Sequence, residues 1–364
     1  MQIKEVTTWL EEIAPLAYQE AYDNAGLLTG NAADELSGVL ICLDSTEEVI
    51  DEAIRKKCNL IIAHHPIVFS GLKKITGRNY IERTVIKAIR NNMAIYAIHT
   101  NLDNVIAGVN ARIAERIGLK NIRILSPKRT LLRKLVTFVP VDKAEKLRNA
   151  LFAAGAGKIG KYGECSFNLQ GIGTFKPSED THPYVGKKGE QHHENETRVE
   201  VVYENQKERQ ILSALKKNHP YEEVAYDSYL LENEYSEVGS GLTGELEKPV
   251  PEMDFLRSLK TDLKTACIRH TRLLGKPISR VALCGGSGSF LLNDAIASES
   301  DIFITGDYKY HQFFDADGKI LIADVGHYES EQFTKELLFE VIQKKFPTFA
   351  VHLSEINTNP VNYL

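Results

Sequence analysis

Leu60-Ile61-Ile62-Ala63-His64-His65-Pro66 is the stretch on which the reading of this chain turns. Four successive apolar residues without alternation fit a short strand buried on both faces, as in a parallel sheet covered by helices. Two imidazoles and a proline close it. The strand thus carries two nitrogen donors to the carboxyl edge of a sheet, where open α/β folds build their ligand crevices. Adjacent residues of a regular strand point to opposite faces. His64 and His65 can therefore serve one ion only if the chain turns at Pro66. Otherwise each serves a different ion, or one is a core imidazole and the other an exposed one.

The neighbouring sequence has the same grain. Val6, Leu10 and Ile13 share one helical face that Pro15 ends. Val39-Leu40-Ile41-Cys42-Leu43 is a second continuous apolar strand, and residues 46–57 form a helix with Val49, Ile50, Ala53 and Ile54 turned inward. After a helix over 81–89, residues 95–98 make a further strand, leading into His99-Thr-Asn-Leu-Asp103. Near the other end, a strand over 320–323 leads into Gly326-His327-Tyr-Glu-Ser-Glu331 and a helix over 332–344. His327 and Glu331 are four apart and share a helical face, so they can converge on one ion. Glu329 points elsewhere. Glu331 can alternatively serve the helix dipole.

The two ends echo each other. His64 stands 22 residues after Cys42, and Gly306 stands 22 after Cys284. LIIAHH then aligns with IFITGD, which sets Asp307 opposite His65. The expected fold is a pseudo-duplicated α/β domain made of residues 1–128 and 238–364. It is interrupted by residues 129–237, whose strands near 135–139, 198–203 and 224–231 and helices near 143–154 and 206–217 fit a ferredoxin-like α+β insert. The polar stretch 176–197, with His192 and His193, reads as a solvated loop.

Composition excludes several classes. With 364 residues, 43% hydrophobic and 26% charged, the chain is of the globular kind, long enough for two or three domains. A net charge of −5 gives no footprint for nucleic acid. The five cysteines are scattered and never form a Cys-x-x-Cys pair, which fits reduced thiols packed in a core. The start, MQIKEVTTWLEEIAP, is not a signal peptide, and no apolar run approaches the ~20 residues of a membrane span. A cytoplasmic protein is expected.

Three clusters, each at the end of an apolar strand, combine imidazole with carboxylate. That mixture suits Zn, Mn or Fe, whereas structural zinc sites prefer cysteine-rich shells. Gly285-Gly286-Ser287-Gly288-Ser289 lacks the spacing of a phosphate loop and reads as a tight packing turn. Asp307 and His311, four apart in GDYKYH, are candidates for proton transfer at the crevice mouth or for orienting ligands.

AYDNAGLLTG, LIIAHHP, HTNLDN, CGGSGSF, ITGDYKYH and GHYESE, in this order, resemble the Nif-three-like family, whose members are named GTP cyclohydrolase 1 type 2 homologues. The resemblance covers nearly the whole chain. HPYEEVAYD, at His219–Asp227, resembles the CutA-like or PII-like insert of longer members. Tyr221, Glu222 and Glu223 there are candidates for a small-ligand or subunit contact.

The resemblance implies a dinuclear centre with two divalent ions per subunit, held by His64, His65, Asp103, His327 and Glu331, in a toroidal homohexamer. His99 is outside that ligand set and is left as a support to the ligands or a substrate-facing group. Paired cations lower the pKa of water from ~15.7 toward ~7 and polarise an electrophile, which is the chemistry of hydrolysis. The expected activity is metal-dependent hydrolysis of a nucleotide-like or phosphorylated small molecule. The alternative is a non-catalytic, metal-binding regulatory hexamer with a ligand-sensing insert.

Overall fold

The computed structural model describes residues 1–364. Two compact units divide the chain: residues 1–126 with 237–364, and residues 127–236.

The larger unit holds two sheets. In the first, the order is Gly26–Thr29, Ala94–Ala97, Leu60–Ala63, Val39–Cys42, Val351–Leu353. The last four are parallel and the Gly26–Thr29 edge is antiparallel. In the second, the order is Arg269–His270, Leu321–Asp324, Ile302–Gly306, Ile278–Ser287, Tyr235–Val250, Lys120–Lys128. Its three strands from Leu321–Asp324 to Ile278–Ser287 are parallel, and Arg269–His270 is an antiparallel edge. Each sheet thus contains three parallel strands in the same sequential order, with an antiparallel edge beside the third. Cys42 pairs with Ala63 and Ala63 with Ala97, so the chain leaves all three strands of the first sheet at one level. His64 and His99 follow at that edge, as Asp307 and His327 follow the corresponding strands of the second sheet.

The uninterrupted apolar runs are buried on both sides. All four residues of Val39–Cys42, Leu60–Ala63 and Ala94–Ala97 lie in the interior. Each Val, Leu or Ile among them contributes ~1.5–3 kcal/mol by leaving water. Helix Glu47–Arg55 covers them with Val49, Ile50 and Ala53, and Thr46 caps its start by accepting from Val49 N. Ile54, expected to point inward, is instead exposed. A helix only nine residues long turns a narrow stripe to the sheet, and position 54 falls outside it.

Residues 127–236 run β-α-β-β-α-β, with the sheet order Phe167–Phe175, His192–Glu204, Leu132–Pro140, Tyr226–Leu231, antiparallel throughout. Helices Ala144–Ala153 and Glu208–Asn218 cover one face through Leu147, Leu151, Ile211 and Leu215. Two features depart from the sequence reading. His192 and His193 begin a strand and are not in a loop, with His192 opposite Phe175 and His193 opposite Thr174. Phe167–Phe175 is an edge strand for which the sequence carried no reading. No helix of the molecule is long and apolar enough to cross a membrane.

Candidate metal centre

Four imidazoles and two carboxylates gather at the strand ends of the larger unit. His64 is fully buried, and its Nδ1 donates to the Ile98 carbonyl at 2.8 Å. That bond fixes the tautomer and leaves the Nε2 lone pair facing Asp103 Oδ1 at 3.6 Å and Glu331 Oε1 at 3.8 Å. His64 Nε2 and Asp103 Oδ1 are both buried and have no hydrogen-bond partner. Buried polar atoms rarely go unmatched, so two orphaned lone-pair acceptors facing each other point to a cation that completes them.

The second group lies alongside. His65 Nε2 is 2.9 Å from Glu331 Oε2, His327 Nε2 is 3.1 Å from the same oxygen, and the two ring nitrogens are 3.3 Å apart. Each ring is held from behind by a carboxylate: His65 Nδ1 donates to Asp44 Oδ1 at 2.8 Å, and His327 Nδ1 to Asp307 Oδ2 at 2.7 Å. An acceptor on one ring nitrogen with the other aimed at a common centre is the arrangement found behind metal-bound histidines. His64, Asp103 and Glu331 could hold a metal ion, as could His65, His327 and Glu331, and Glu331 is common to these two sets; His64, His65 and His99 form a third such group.

His327 and Glu331 lie on one face of the short helix His327–Glu331, as their spacing requires. A bulge after Cys284, within the strand Ile278–Ser287 where the sequence suggested a tight turn, makes room for them. Gly286 has φ +63°, and a Cβ there would lie 2.3 Å from Glu331 Oε1. Its N–H donates to Ser330 Oγ at 2.9 Å, which anchors the same helix. Asn110 ties the opposite wall down, accepting from Gly285 N at 2.8 Å and donating to the Asp103 carbonyl at 3.0 Å.

Electrostatics follow from this crowding. Burial favours neutral His64 and lowers its pKa. Burial would also lower His65 and His327, but the Glu331 charge and the carboxylates behind them push these to about 10 and about 11. Burial would raise Glu331, yet His327 and His65 hold it well below the usual carboxylate range. Asp103 is raised by burial and by the neighbouring Glu331 charge. Without a cation, protons on His65 and His327 occupy the positive role. Metal binding must expel them.

The sequence candidates separate here. His64, His65, Asp103, His327 and Glu331 come together, and Asp307 joins them through His327. His311 does not: it is exposed, stacks its ring on Phe314, and is not among the side chains lining the crevice. No helix joins it to Asp307, since the 3-10 helix begins only at Tyr310. Two carboxylates were missed. Asp44 lies two residues beyond a buried strand, a position that could have signalled it. Asp23 lies within AYDNAGLLTG, and its Oδ1 accepts from His99 Nδ1 at 2.8 Å. His99 and Thr100 together outweigh burial and lower the Asp23 pKa to about 2. The His99 ring centroid is 5.3 Å from those of both His64 and His65.

The crevice over this cluster has a volume of about 880 Å³. Tyr22, Phe69, Tyr80 and Phe290 line it with exposed aromatic surface, and Arg269 stands at its rim in an ion pair with Asp324.

Comparison with known proteins places the chain in a family. The chain matches Duf34/NIF3 (NGG1p interacting factor 3) over residues 1–360. A GTP cyclohydrolase 1 type 2 homolog of Bacillus subtilis is 36% identical over 367 residues, spanning 99% of this chain and 98% of the relative. One from Halalkalibacterium halodurans is 38% identical over 360 residues, spanning 97% and 96%. A crystal structure of a Bacillus cereus protein related to NIF3 superposes with TM-score 0.86 at 36% identity, over 100% of this chain and 99% of that one. The Staphylococcus aureus protein SA1388 gives TM-score 0.80 at 30% identity, over 100% and 99%. The chain belongs to the Duf34/NIF3 family.

Proposed function

We propose that the protein is a metal-dependent hydrolase of a nucleotide-like or phosphorylated small molecule, with two divalent cations sharing Glu331. The observation that carries this reading is the position of Glu331, whose two oxygens face two separate sets of donors, one of them containing the orphaned His64 Nε2 and Asp103 Oδ1. His64, Asp103 and Glu331 would hold one ion, and His65, His327 and Glu331 the other. Bound there, such a pair acidifies water and polarises an electrophile. The mixed imidazole and carboxylate donors admit Zn, Mn or Fe.

The chain's own groups do the rest. Asp44 and Asp307 fix the ring planes of His65 and His327, and Ile98 fixes that of His64. Asp307, bonded to a ligand-set histidine, is a positioning residue in this reading, and His311 takes no part. The exposed aromatic rings suit a planar substrate, and Arg269 suits an anionic substituent. The relatives' name, GTP cyclohydrolase 1 type 2 homolog, supports GTP as one candidate substrate.

The test is metal content of anaerobically purified protein, together with hydrolysis assays on GTP and a phosphoester panel, for wild type and Glu331→Ala. About two ions per chain, with turnover abolished by Glu331→Ala, is the expected result. Absence of bound metal in the wild type overturns the reading. The family resemblance also supports a toroidal homohexamer, which light scattering on the eluted protein checks.

One observation favours a second reading, regulation through the insert. The unit of residues 127–236 has its own cavity of about 710 Å³, lined by Tyr184, Tyr221, Glu222 and Glu223. The CutA-like or PII-like resemblance of this segment points the same way. Two metals with no turnover on any substrate would favour it.

A further inference from the structure

Residues 354–364 follow the edge strand Val351–Leu353 and run to the metal cluster. Ser354 is the anchor: its N–H donates to the Ile41 carbonyl at 2.8 Å, and its hydroxyl to the buried Glu52 carboxylate at 2.6 Å. Ile356 packs on the core of the first sheet. Beyond it, Thr358 Oγ1 donates to Asp44 Oδ2 at 2.6 Å, and Asn359 Nδ2 to Glu329 Oε1 at 3.1 Å. Asn359, Pro360, Val361 and Tyr363 then line the crevice.

Asp44 is the link to the cluster. One of its oxygens receives His65 Nδ1 and the other receives Thr358, so the chain of contacts runs Thr358–Asp44–His65–Glu331 at 2.6, 2.8 and 2.9 Å. A carboxylate held at one oxygen can still rotate about its terminal bond, which is a broad torsion. One held at both cannot, and it fixes the ring it accepts from. Asp23 is held at both oxygens by its near neighbours, since Oδ2 accepts from the hydroxyl and N–H of Thr100 while Oδ1 takes His99. Asp44 has one-third of its side chain exposed, and Thr358 is the side chain that occupies its second oxygen.

We propose that Thr358 is a positioning residue of the metal centre, locking Asp44 so that His65 Nε2 is held at the cation. The inference rests on the metal-centre reading above and goes beyond the ligand set. Carboxylates and their partners behind metal-bound histidines typically contribute ~10–100-fold to metal affinity. Thr358 acts one step further out, and a loss near ~10-fold is expected when its hydroxyl is removed.

The experiment uses the full chain, with Co²⁺ as the probe. Apparent affinity is measured by competition with a chelator, and the visible absorption of the bound ion reports its coordination. Wild type, Thr358→Val and Thr358→Ser are compared, with circular dichroism to show that each is folded. The expected result is weakened binding and an altered Co²⁺ spectrum in Thr358→Val, both restored in Thr358→Ser. Wild-type affinity and spectrum in Thr358→Val overturn the inference. So does an equal loss in Thr358→Ser, which would mean the segment acts by packing and not through the hydroxyl. Failure of the wild type to bind Co²⁺ refutes the metal-centre reading itself and is thereby distinguished from the other outcomes.

Discussion

Gly286→Ala tests whether the glycine bulge is built around Glu331. The native φ of +63° is left-handed, where an L side chain costs ~1–2 kcal/mol. The new methyl would also sit 2.3 Å from Glu331 Oε1 and 3.3 Å from His327 Cε1, with the φ penalty present whatever the space. Glu331 would have to retreat by roughly 1 Å to reach van der Waals separation. Because its carboxylate faces both donor sets, that movement should weaken both cations by at least the ~10–100-fold seen for indirect changes. The strain alone should lower the melting temperature of the metal-free protein by about 2–8 °C. Gly285→Ala is the control, since its Cβ meets Ile113 at 3.2 Å and Val109 at 3.3 Å and approaches Glu331 only at Cγ, 3.5 Å away. Calorimetry of the metal-free variants and Co²⁺ titration give the two readings. Undiminished metal affinity in Gly286→Ala would refute the claim that this bulge shapes the centre.

Three further predictions follow from the same residues. Glu331→Ala should reduce bound metal from about two ions to fewer than one per chain, as elemental analysis after dialysis would show; a variant retaining both ions contradicts the shared-ligand arrangement. In the metal-free protein, His65 and His327 have folded pKa values raised to about 10 and about 11. The stability they give with Glu331 is therefore complete below the unfolded value near ~6.5 and declines as pH rises toward those values. Urea midpoints of metal-free protein should fall between pH 7 and pH 10, and less so in Glu331→Ala. At acid pH the sign reverses for Glu52, whose lowered pKa reflects Lys56, Ser354 and Glu355 outweighing its burial. Its contribution is present above the unfolded value near ~4.3 and lost as pH falls through the folded one. Glu52→Gln should cost ~1–3 kcal/mol at neutral pH and flatten the acid limb of a urea-midpoint profile; an unchanged profile would contradict this assignment.

Much of the larger unit was legible because its signals are local. Runs such as LIIA and VLIC are too apolar and too short to be anything but doubly buried strands, and the residues at their ends inherit a place at the sheet edge. The equal spacings of Cys42 to His64 and Cys284 to Gly306 belong to two sheets of matching strand order, but the pairing at their ends differs: Cys42 pairs with Ala63, whereas Gly306 pairs with Ser287 after a register shift. What stayed illegible depends on distant partners. Nothing in the sequence near Asp44 indicates that Thr358 will reach it, because only the edge pairing of Val351–Leu353 with Val39–Cys42 sets them together. His311 read as a site residue because it lies four residues from Asp307 in GDYKYH, but its exposed ring is not among those lining the crevice. Phe167–Phe175 escaped notice because an exposed edge strand with two interior glycines shows no buried alternation. The same exposed edge pairs with His192–Glu204, which drew His192 and His193 into a strand where polarity alone suggested a loop.

The donors of the centre come from both ends of the larger unit, with residues 127–236 intervening between Asp103 and His327. That order has a consequence for biosynthesis. At ~5–20 residues per second, His327 and Glu331 leave the ribosome on the order of tens of seconds after Asp103. The nascent chain meanwhile presents His64, His65 and Asp103 without the carboxylate that joins the two donor sets. In the proposed centre, ion capture by both donor sets would then be among the last events of maturation, after the intervening unit has had time to fold. The order of synthesis itself delays the assembly of the His327 and Glu331 donors with His64, His65 and Asp103 until the second sheet is in place.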